Sequence, residues 1–327
     1  MRKSRKEKQM TKIITSTEGL PYERWLEYRR QGIGGSDAAV VSGISRYKTP
    51  LELWLEKTGQ LENQEVGESA YWGTLLEPVV RKEFSTRTGI EVKTVNKILQ
   101  SEENPFMLAN LDGICEHPNL GTCVFEAKTA AAYKSREWEN AIPDEYMLQI
   151  QHYMAVTGYK GAYIAVLIGG NTFKWKFVER DEELISMLIK LESDFWNYVQ
   201  NNTPPPLDGS EASEKFLAVK YSESNPGSTI DLPITAAKLI EQYESVSEQL
   251  NELTEQKRYA ENRLKEMLGD NERGTVGNSV VMWKSVSQER LDTKTLKAEN
   301  PALYKKYANK TTCRRFSIQK SQTEMED

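Results

Sequence analysis

Apolar positions change spacing along this chain, and each change of spacing marks an element. Residues 1–19 are polar and charged with no apolar rhythm, which predicts a flexible basic arm. From Pro21 to Gly59 the spacing is helical. Tyr22, Trp25, Leu26 and Arg29 share one face, and Ser36 or Asp37 would cap a helix over 38–42. Thr49-Pro50 opens another, striped by Leu51, Trp54 and Leu55. Trp72-Gly73 precedes a helix carrying Leu75, Leu76, Val79, Val80 and Phe84 and ended by Gly89. Pro78 is tolerable in its first turn, where the amides have no partners to lose. Strands are predicted over 92–99, 107–111 and 122–129, the last two joined by turn residues around His117-Pro118-Asn119 and Gly121.

Residues 144–157 return to helical spacing, with Met147, Ile150 and Met154 on one face and Tyr146, Gln149 and Tyr153 on another. The unbroken apolar run 162–168 is the signature of a strand buried on both faces. Phe173, Trp175 and Phe177 then alternate with Lys174 and Lys176, a half-exposed strand. A long amphipathic helix follows, with Leu184, Leu188, Leu191, Phe195 and Val199 toward the core. Pro204-Pro205-Pro206 stops this domain, which spans 20–202, and 203–235 reads as a Pro/Ser-rich linker. Beyond it, Leu239, Tyr243, Val246, Leu250, Leu253, Ala260, Leu264 and Met267 fall on alternating steps of four and three. They form a heptad seam with Lys257 as its polar member. It predicts either a coiled coil or an intramolecular helical hairpin. A β-hairpin around Gly277-Asn278 and a basic tail (Lys305, Lys306, Lys310, Arg314 and Arg315) complete the C-terminal helical region, 236–327. The expected fold class is α/β, a mixed central sheet flanked by helices, with a C-terminal helical extension.

Composition narrows the chemistry. No stretch approaches the roughly 20 apolar residues that span a bilayer, and the basic N-terminus has no apolar run behind it, so the cytoplasm is the expected compartment. Three scattered cysteines make no disulfide framework and there are two histidines, so any bound metal would be held by carboxylates, which favour Mg²⁺, Ca²⁺ or Mn²⁺. Net charge is −5, so contact with nucleic acid would have to come from a local groove.

The informative stretch is Leu111-Asp112-Gly113 followed by Val124-Phe125-Glu126-Ala127-Lys128. Asp112 ends one strand and Glu126 lies inside its expected neighbour. Glu126 and Lys128, two apart on a strand, project together. Two carboxylates can hold a hard cation against a phosphodiester, and an ammonium can orient a water, lower its pKa or stabilise developing charge. Glu77, on the upstream helix, could complete the shell or help hold a second metal. Each piece has a plainer reading: Asp-Gly is common turn chemistry, and E-x-K often marks a solvated strand edge.

The pattern of these residues resembles the PD-(D/E)xK nuclease superfamily and, more specifically, the YqaJ-like viral recombinase family, relatives of phage lambda exonuclease. Five motifs carry the resemblance in the family's order, over roughly residues 20–200. They are Trp25-Leu26-Glu27-Tyr28-Arg29 with Ile33-Gly34-Gly35-Ser36-Asp37, Trp72-Gly73 with Glu77, Leu111-Asp112-Gly113, Glu126-Ala127-Lys128, and Tyr146-Met147-Leu148-Gln149-Ile150-Gln151. The resemblance implies a restriction-endonuclease-like core. It implies that Asp112, Glu126 and the Ala127 carbonyl ligate Mg²⁺ (Mn²⁺ substituting), that Glu77 supports the metal shell, and that Lys128 serves the nucleophilic water. Gln149 would help place water or phosphate, while Arg29 and Ser36 would grip a 5′-terminal phosphate.

The implied activity is a 5′→3′ exonuclease on double-stranded DNA ends, leaving a 3′ single-stranded tail for a RecT-type annealing protein, with ring-shaped trimers among relatives. Plainer roles stand beside these: Arg29 as a surface helix residue with Arg30 its rival, Ser36 as a helix cap, and Gln149 and Gln151 as polar helix positions. His117 and His152 are not expected to be ligands. An endonuclease or nickase with the same site, or a DNA-binding or assembly module with a degenerate one, are the alternatives. Two departures are evident. Residues 207–327 have no counterpart in the minimal nuclease, and three cysteines cannot supply the four ligands of an iron–sulfur cluster.

Overall fold

Along Gly161–Ile168, Ala162, Ile164, Val166 and Ile168 enter one apolar cluster while Tyr163, Ala165 and Leu167 enter another, so this strand is a wall between two cores. The computed structural model describes residues 11–61, 67–309 and 314–319, in two units, Met1–Phe216 and Leu217–Asp327.

In chain order the first unit holds β1 (Thr11–Ser16), α1 (Tyr22–Arg30), β2 (Ile33–Gly34), α2 (Gly35–Val41), α3 (Pro50–Lys57), α4 (Glu68–Thr88), β3 (Val92–Lys93), β4 (Lys97–Ser101) and β5 (Met107–Asn110). There follow β6 (Gly113–His117), β7 (Gly121–Ala130), a 3₁₀ turn (Ala132–Trp138), α5 (Asp144–Thr157), β8 (Gly161–Ile168), β9 (Thr172–Glu179) and α6 (Glu182–Gln200). A five-stranded sheet runs β3-β6-β7-β8-β9, antiparallel except for the parallel β7–β8 pair. A four-stranded sheet runs β1-β4-β5-β2. The parallel pair requires a crossover, and α5 supplies it, covering one face of the five-stranded sheet. Val80 and Phe84 of α4 cover the other, with Phe84 tilted against Phe125 and Tyr163 at ring separations of 5.0 and 5.3 Å. The expected mixed α/β sheet flanked by helices is the observed architecture.

Several local expectations need correction. Residues 1–10 of the expected arm lie outside the described residues, but Thr11–Ser16 is a strand that pairs with β4, because its backbone completes the edge of the smaller sheet. Helix α4 starts at Glu68, so Pro78 sits in its interior rather than its first turn, and Leu75 and Val79 are exposed. The single strand expected over 92–99 is split between the two sheets as β3 and β4. α2 begins at Gly35, and neither Ser36 nor Asp37 is its cap; Asp37, three positions into the motif, instead accepts from the Gly34 amide at 3.0 Å. On α6, Ile185 is buried and Leu191 exposed. The stretch read as a linker contains α7 (Glu211–Lys220), with Ser213 buried and Phe216 edge-on to Trp54 at 6.1 Å. The first unit therefore reaches past the prolines.

The second unit holds α8 (Ala236–Leu268), the hairpin β10 (Arg273–Val276) with β11 (Ser279–Met282), α9 (Thr293–Glu299) and α10 (Pro301–Tyr307). Residues 236–268 form one continuous helix and not a helical hairpin. Lys310 lies outside the described residues.

One buried polar pair ties α5 to α6. His152 Nδ1 is 2.8 Å from Glu192 Oε1, and His152 Nε2 is 2.8 Å from the Leu108 carbonyl, with both side chains fully buried. A carbonyl only accepts, so Nε2 carries a hydrogen and a proton is also held between Nδ1 and the carboxylate. Burial pulls the imidazole down, but Glu192 outweighs it and raises it. His152 is thus structural. Glu192→Ala strips the partner from a buried charge and is expected to cost about 3–5 kcal/mol in urea unfolding. Replacing both residues by leucine should recover much of that loss.

Candidate active site

Strand β7 alternates across the sheet. Cys123, Phe125 and Ala127 turn toward α4, while Val124, Glu126 and Lys128 turn toward α5, so an acid and a lysine enter a largely apolar layer from one strand face. Lys128 Nζ lies 2.7 Å from Glu126 Oε1. Gln149 of α5 bridges them, donating from Nε2 to Glu126 Oε1 at 2.7 Å and accepting from Lys128 Nζ at 3.0 Å. Tyr146, one turn earlier, lays its ring 4.9 Å from the same ammonium. Gln149 Nε2 is also 3.1 Å from the Tyr153 hydroxyl. This five-residue network fixes Lys128 without any loop.

Asp112 enters differently from the expectation. β5 belongs to the smaller sheet, and the neighbour of β7 is β6, which starts immediately after Asp112. Asp112 therefore sits where the chain passes from one sheet to the other. Where β6 begins, Gly113 pairs with Phe125; beyond that point Asp112 Oδ2 accepts from the Ala127 amide at 2.8 Å. In a strand the N–H and C=O of one residue leave by the same edge, so the Ala127 carbonyl faces the Asp112 side as well. Gly113 permits the tight passage: a Cβ there would meet Val92 Cγ1 at 2.6 Å and the Lys93 carbonyl at 3.0 Å. Arg81 of α4 donates to the Asp112 carbonyl at 3.0 Å and lies 3.4 Å from Glu77 Oε1. It anchors the third acid beside the other two.

The acids strain one another. Burial, then Asp112, push Glu126 up to about 8 and Glu77 up to about 7. Burial also raises Asp112, although Lys128 and the Ala127 amide oppose it. Burial pulls Lys128 down, but Glu126 and Asp112 outweigh it and hold the ammonium above the ordinary lysine range. Glu126 Oε2 is buried with no hydrogen-bond partner. Among the described residues, no three His, Cys, Asp or Glu side chains gather tightly enough to form a metal cage. What the arrangement offers is hard oxygen donors, one of them unpartnered, crowded so that each acid resists ionising beside the others.

A second group lies at the other end of the same space. Arg29 Nη2 is 3.1 Å from Ser36 Oγ and 2.9 Å from Asp37 Oδ1, and its guanidinium lies 5.1 Å from the Trp25 ring. Asp37 is 3% exposed and is also held by Lys57 Nζ at 2.7 Å, whose next bond is to the Arg29 carbonyl at 2.9 Å. Burial opposes the Asp37 carboxylate, but Lys57 and Arg29 hold it well below the usual range. Ser36 is exposed, and Arg29 meets it. A cleft of about 570 Å³ is lined by Arg29, Arg30, Ser36, Lys128, Tyr146 and Gln149 among others, joining the two groups. α2 can lie this close to α5 because residue 35 is glycine: a Cβ there would fall 2.4 Å from Tyr153 Cε1.

Of the other sequence candidates, Gln151 is buried, donating to the Glu179 carbonyl at 2.9 Å and accepting from the Asp181 amide at 3.0 Å. His117 stacks on Phe177 at 4.7 Å. Cys115 and Cys123 are buried neighbours across β6 and β7. Lys57, Arg81 and Tyr153 were not singled out from sequence. Lys57 and Arg81 look like ordinary helix-surface cations there, and only the packing of α3 and α4 buries them.

Residues 24–160 match the model of the YqaJ-like viral recombinase domain. The chain is 43% identical over 311 residues to the uncharacterized protein YqaJ of Bacillus subtilis, covering 94% of this chain and 97% of that protein. It also aligns with the crystal structure of an alkaline exonuclease from Laribacter hongkongensis (20% identity, TM-score 0.46, 61% of this chain and 98% of that one). A further alignment is with a phage-related exonuclease from Haemophilus somnus (14% identity, TM-score 0.42, 54% and 99%).

The Asp37 network has a direct consequence. Asp37→Asn removes the charge shared by Arg29 and the fully buried Lys57 ammonium, and is expected to cost about 3–5 kcal/mol. The shift of the urea midpoint at constant slope reads it, and an unchanged midpoint would count against the network.

Proposed function

Because the chain belongs to the YqaJ-like viral recombinase family, we propose that it is a metal-dependent deoxyribonuclease. In this reading it is a 5′→3′ exonuclease that resects double-stranded DNA ends and leaves 3′ single-stranded tails. The observation that carries the reading is the single cleft with Arg29 and Ser36 at one end and Lys128 and Gln149 at the other. A strand entering it could be gripped by its terminal phosphate while an inner phosphodiester lies against Lys128, whose ammonium is 2.7 Å from Glu126.

The donor set fits a hard divalent cation. All the candidate ligands are oxygens, the acids raise one another, and the buried Glu126 Oε2 lacks a partner. Asp112, Glu126 and the Ala127 carbonyl would hold Mg²⁺ or, in its place, Mn²⁺, with Glu77 completing the shell. Such an ion, when bound, polarises a phosphoryl oxygen and acidifies a water for in-line attack. Lys128, with its ammonium 2.7 Å from Glu126, would orient the water and stabilise charge growing on the phosphate. Gln149 keeps Lys128 and Glu126 at a fixed separation and so would help place the water or phosphate between them. Arg29 offers a planar fork and Ser36 a hydroxyl near the start of α2, a pair suited to a terminal phosphate dianion.

The product tail is the natural substrate of a RecT-type single-strand annealing protein, and a ring of subunits, a trimer by family resemblance, would confine the duplex despite the acidic net charge. Both belong to the cytoplasm of a bacterial host.

Digestion of a 5′-phosphorylated linear duplex with Mg²⁺ tests this. Wild type should shorten it, and chelation should stop the reaction. Asp112→Ala, Glu126→Ala and Lys128→Ala should each lose about two to four orders of magnitude in rate while remaining folded. A covalently closed circle should survive; its cleavage would make the enzyme an endonuclease. Arg29→Ala should retain hydrolysis and lose most of the preference for phosphorylated over hydroxyl 5′ ends. Equal rates of Lys128→Ala and wild type would remove the assignment.

A further inference from the structure

Helix α8 carries its heptad seam into solvent. Taking Tyr243, Leu250, Lys257 and Leu264 as a positions and Leu239, Val246, Leu253, Ala260 and Met267 as d positions, every member is exposed, with Leu239 at 67%, Leu250 at 62% and Leu253 at 61%. A 33-residue helix is about 50 Å long at 1.5 Å per residue. A row of leucines that long is unusual on a free surface. Among the described residues of this unit, Phe316 meets Tyr243 edge-on at 5.8 Å, and Leu268 packs over the hairpin at Gly274.

We infer that α8 pairs with α8 of a second copy of this chain, running antiparallel. The register follows from side-chain size. When the second helix is reversed about a point between Leu250 and Leu253, every a position meets a d position along the whole helix. Ala236, Leu239, Tyr243, Val246 and Leu250 then face, in that order, the partner's Met267, the partner's Leu264, the partner's Ala260, the partner's Lys257 and the partner's Leu253. Small faces large at both ends of the seam, and leucine faces leucine at its centre and between. Parallel pairing stacks each residue on itself: Tyr243 on the partner's Tyr243, Ala260 on the partner's Ala260, leaving a gap, and Lys257 on the partner's Lys257.

Charge favours the same direction. The helix up to Glu255 carries Glu241, Glu244, Glu248, Glu252 and Glu255 against Lys238, while the remainder carries Lys257, Arg258, Arg263 and Lys265 against Glu261 and Glu266. Antiparallel pairing lays the acidic half along the basic half of the partner, and parallel pairing lays like on like. Lys257, whose exposed Nζ has a loose 3.8 Å contact with Glu261 of its own helix, sits in the seam opposite Val246 and can reach up into the partner's acidic half. The result is a closed two-fold contact, which adds nothing beyond the pair.

The test uses the full chain. Sedimentation equilibrium should give the Leu250→Asp/Leu253→Asp variant a lower mass than the wild type, by half if α8 is the sole contact between copies. In a Cys313→Ser background, Leu239→Cys and Leu264→Cys are prepared as separate proteins and oxidised alone and mixed. Antiparallel pairing forms the disulfide-linked dimer in the mixture and not in either protein alone. Linkage by each protein alone would show a parallel pair and overturn the inference. Equal masses for wild type and the aspartate variant, with no linkage in the mixture, would also overturn it and leave the seam covered by the chain's own C-terminal segments.

Discussion

Three carboxyl groups gathered around one ammonium, with apolar layers on both sides, are the constraint to which the rest of the first unit answers. Taking an ion out of water costs several kcal/mol even after relaxation, and Glu126 is placed mid-strand at 1% exposure. Such an acid is kept only if its surroundings are built for it. The surroundings here are rigid: β7 fixes Glu126 and Lys128 at the two-residue repeat, Gln149 spans them from α5, and Arg81 ties Glu77 to the Asp112 backbone. Each support comes from a different element, so the site is a product of the whole α/β packing and not of one loop.

The two sheets matter because Asp112 lies at their junction. The chain leaves the smaller sheet at β5 and enters the larger at β6, and the carboxylate caps the amide of Ala127 where β6 no longer pairs with β7. Glycines occur where backbones must close on neighbours. Gly113 admits β3 beside Asp112, and Gly35 lets the start of α2 settle on Tyr153, which brings Ser36 to the Lys128 cleft, where Arg29 of α1 meets it. The cleft lining sets Arg29, Arg30, Lys48 and Lys128 against Asp37, Glu52, Glu56 and Glu145, so a phosphate would meet individual placed donors and not a broad positive field.

Much of this was legible from residue spacing, because periodicity reports burial and the site residues ride on periodic elements. The doubly buried run of β8, the faces of α5 and the shared direction of Glu126 and Lys128 all follow from it, while on β9 Phe173 and Phe177 pack inward and Trp175 is exposed. The misreadings are those where long-range pairing decides. Nothing local says that 92–99 divides between two sheets, that Thr11–Ser16 borrows β4 as a partner, or that β6 rather than β5 lies beside β7. Pro78 misled because a helix start was placed at the first apolar residue, whereas α4 begins earlier with an exposed polar turn. Lys57 carried no signal at all: its role depends on α3 docking beside α2, which buries an ammonium that sequence alone shows on a helix end.

The central claim is that Asp112 and Glu126 are the ligands of a divalent cation. Soaking crystals of the protein in Mn²⁺ and measuring anomalous scattering tests it without any substrate. One strong peak is expected within coordination distance of Asp112 Oδ1 or Oδ2, of Glu126 Oε2 and of the Ala127 carbonyl, and it should be lost in Glu126→Gln. A fully occupied Mn²⁺ elsewhere with none at these oxygens, or a peak that persists unchanged in Glu126→Gln, would contradict it.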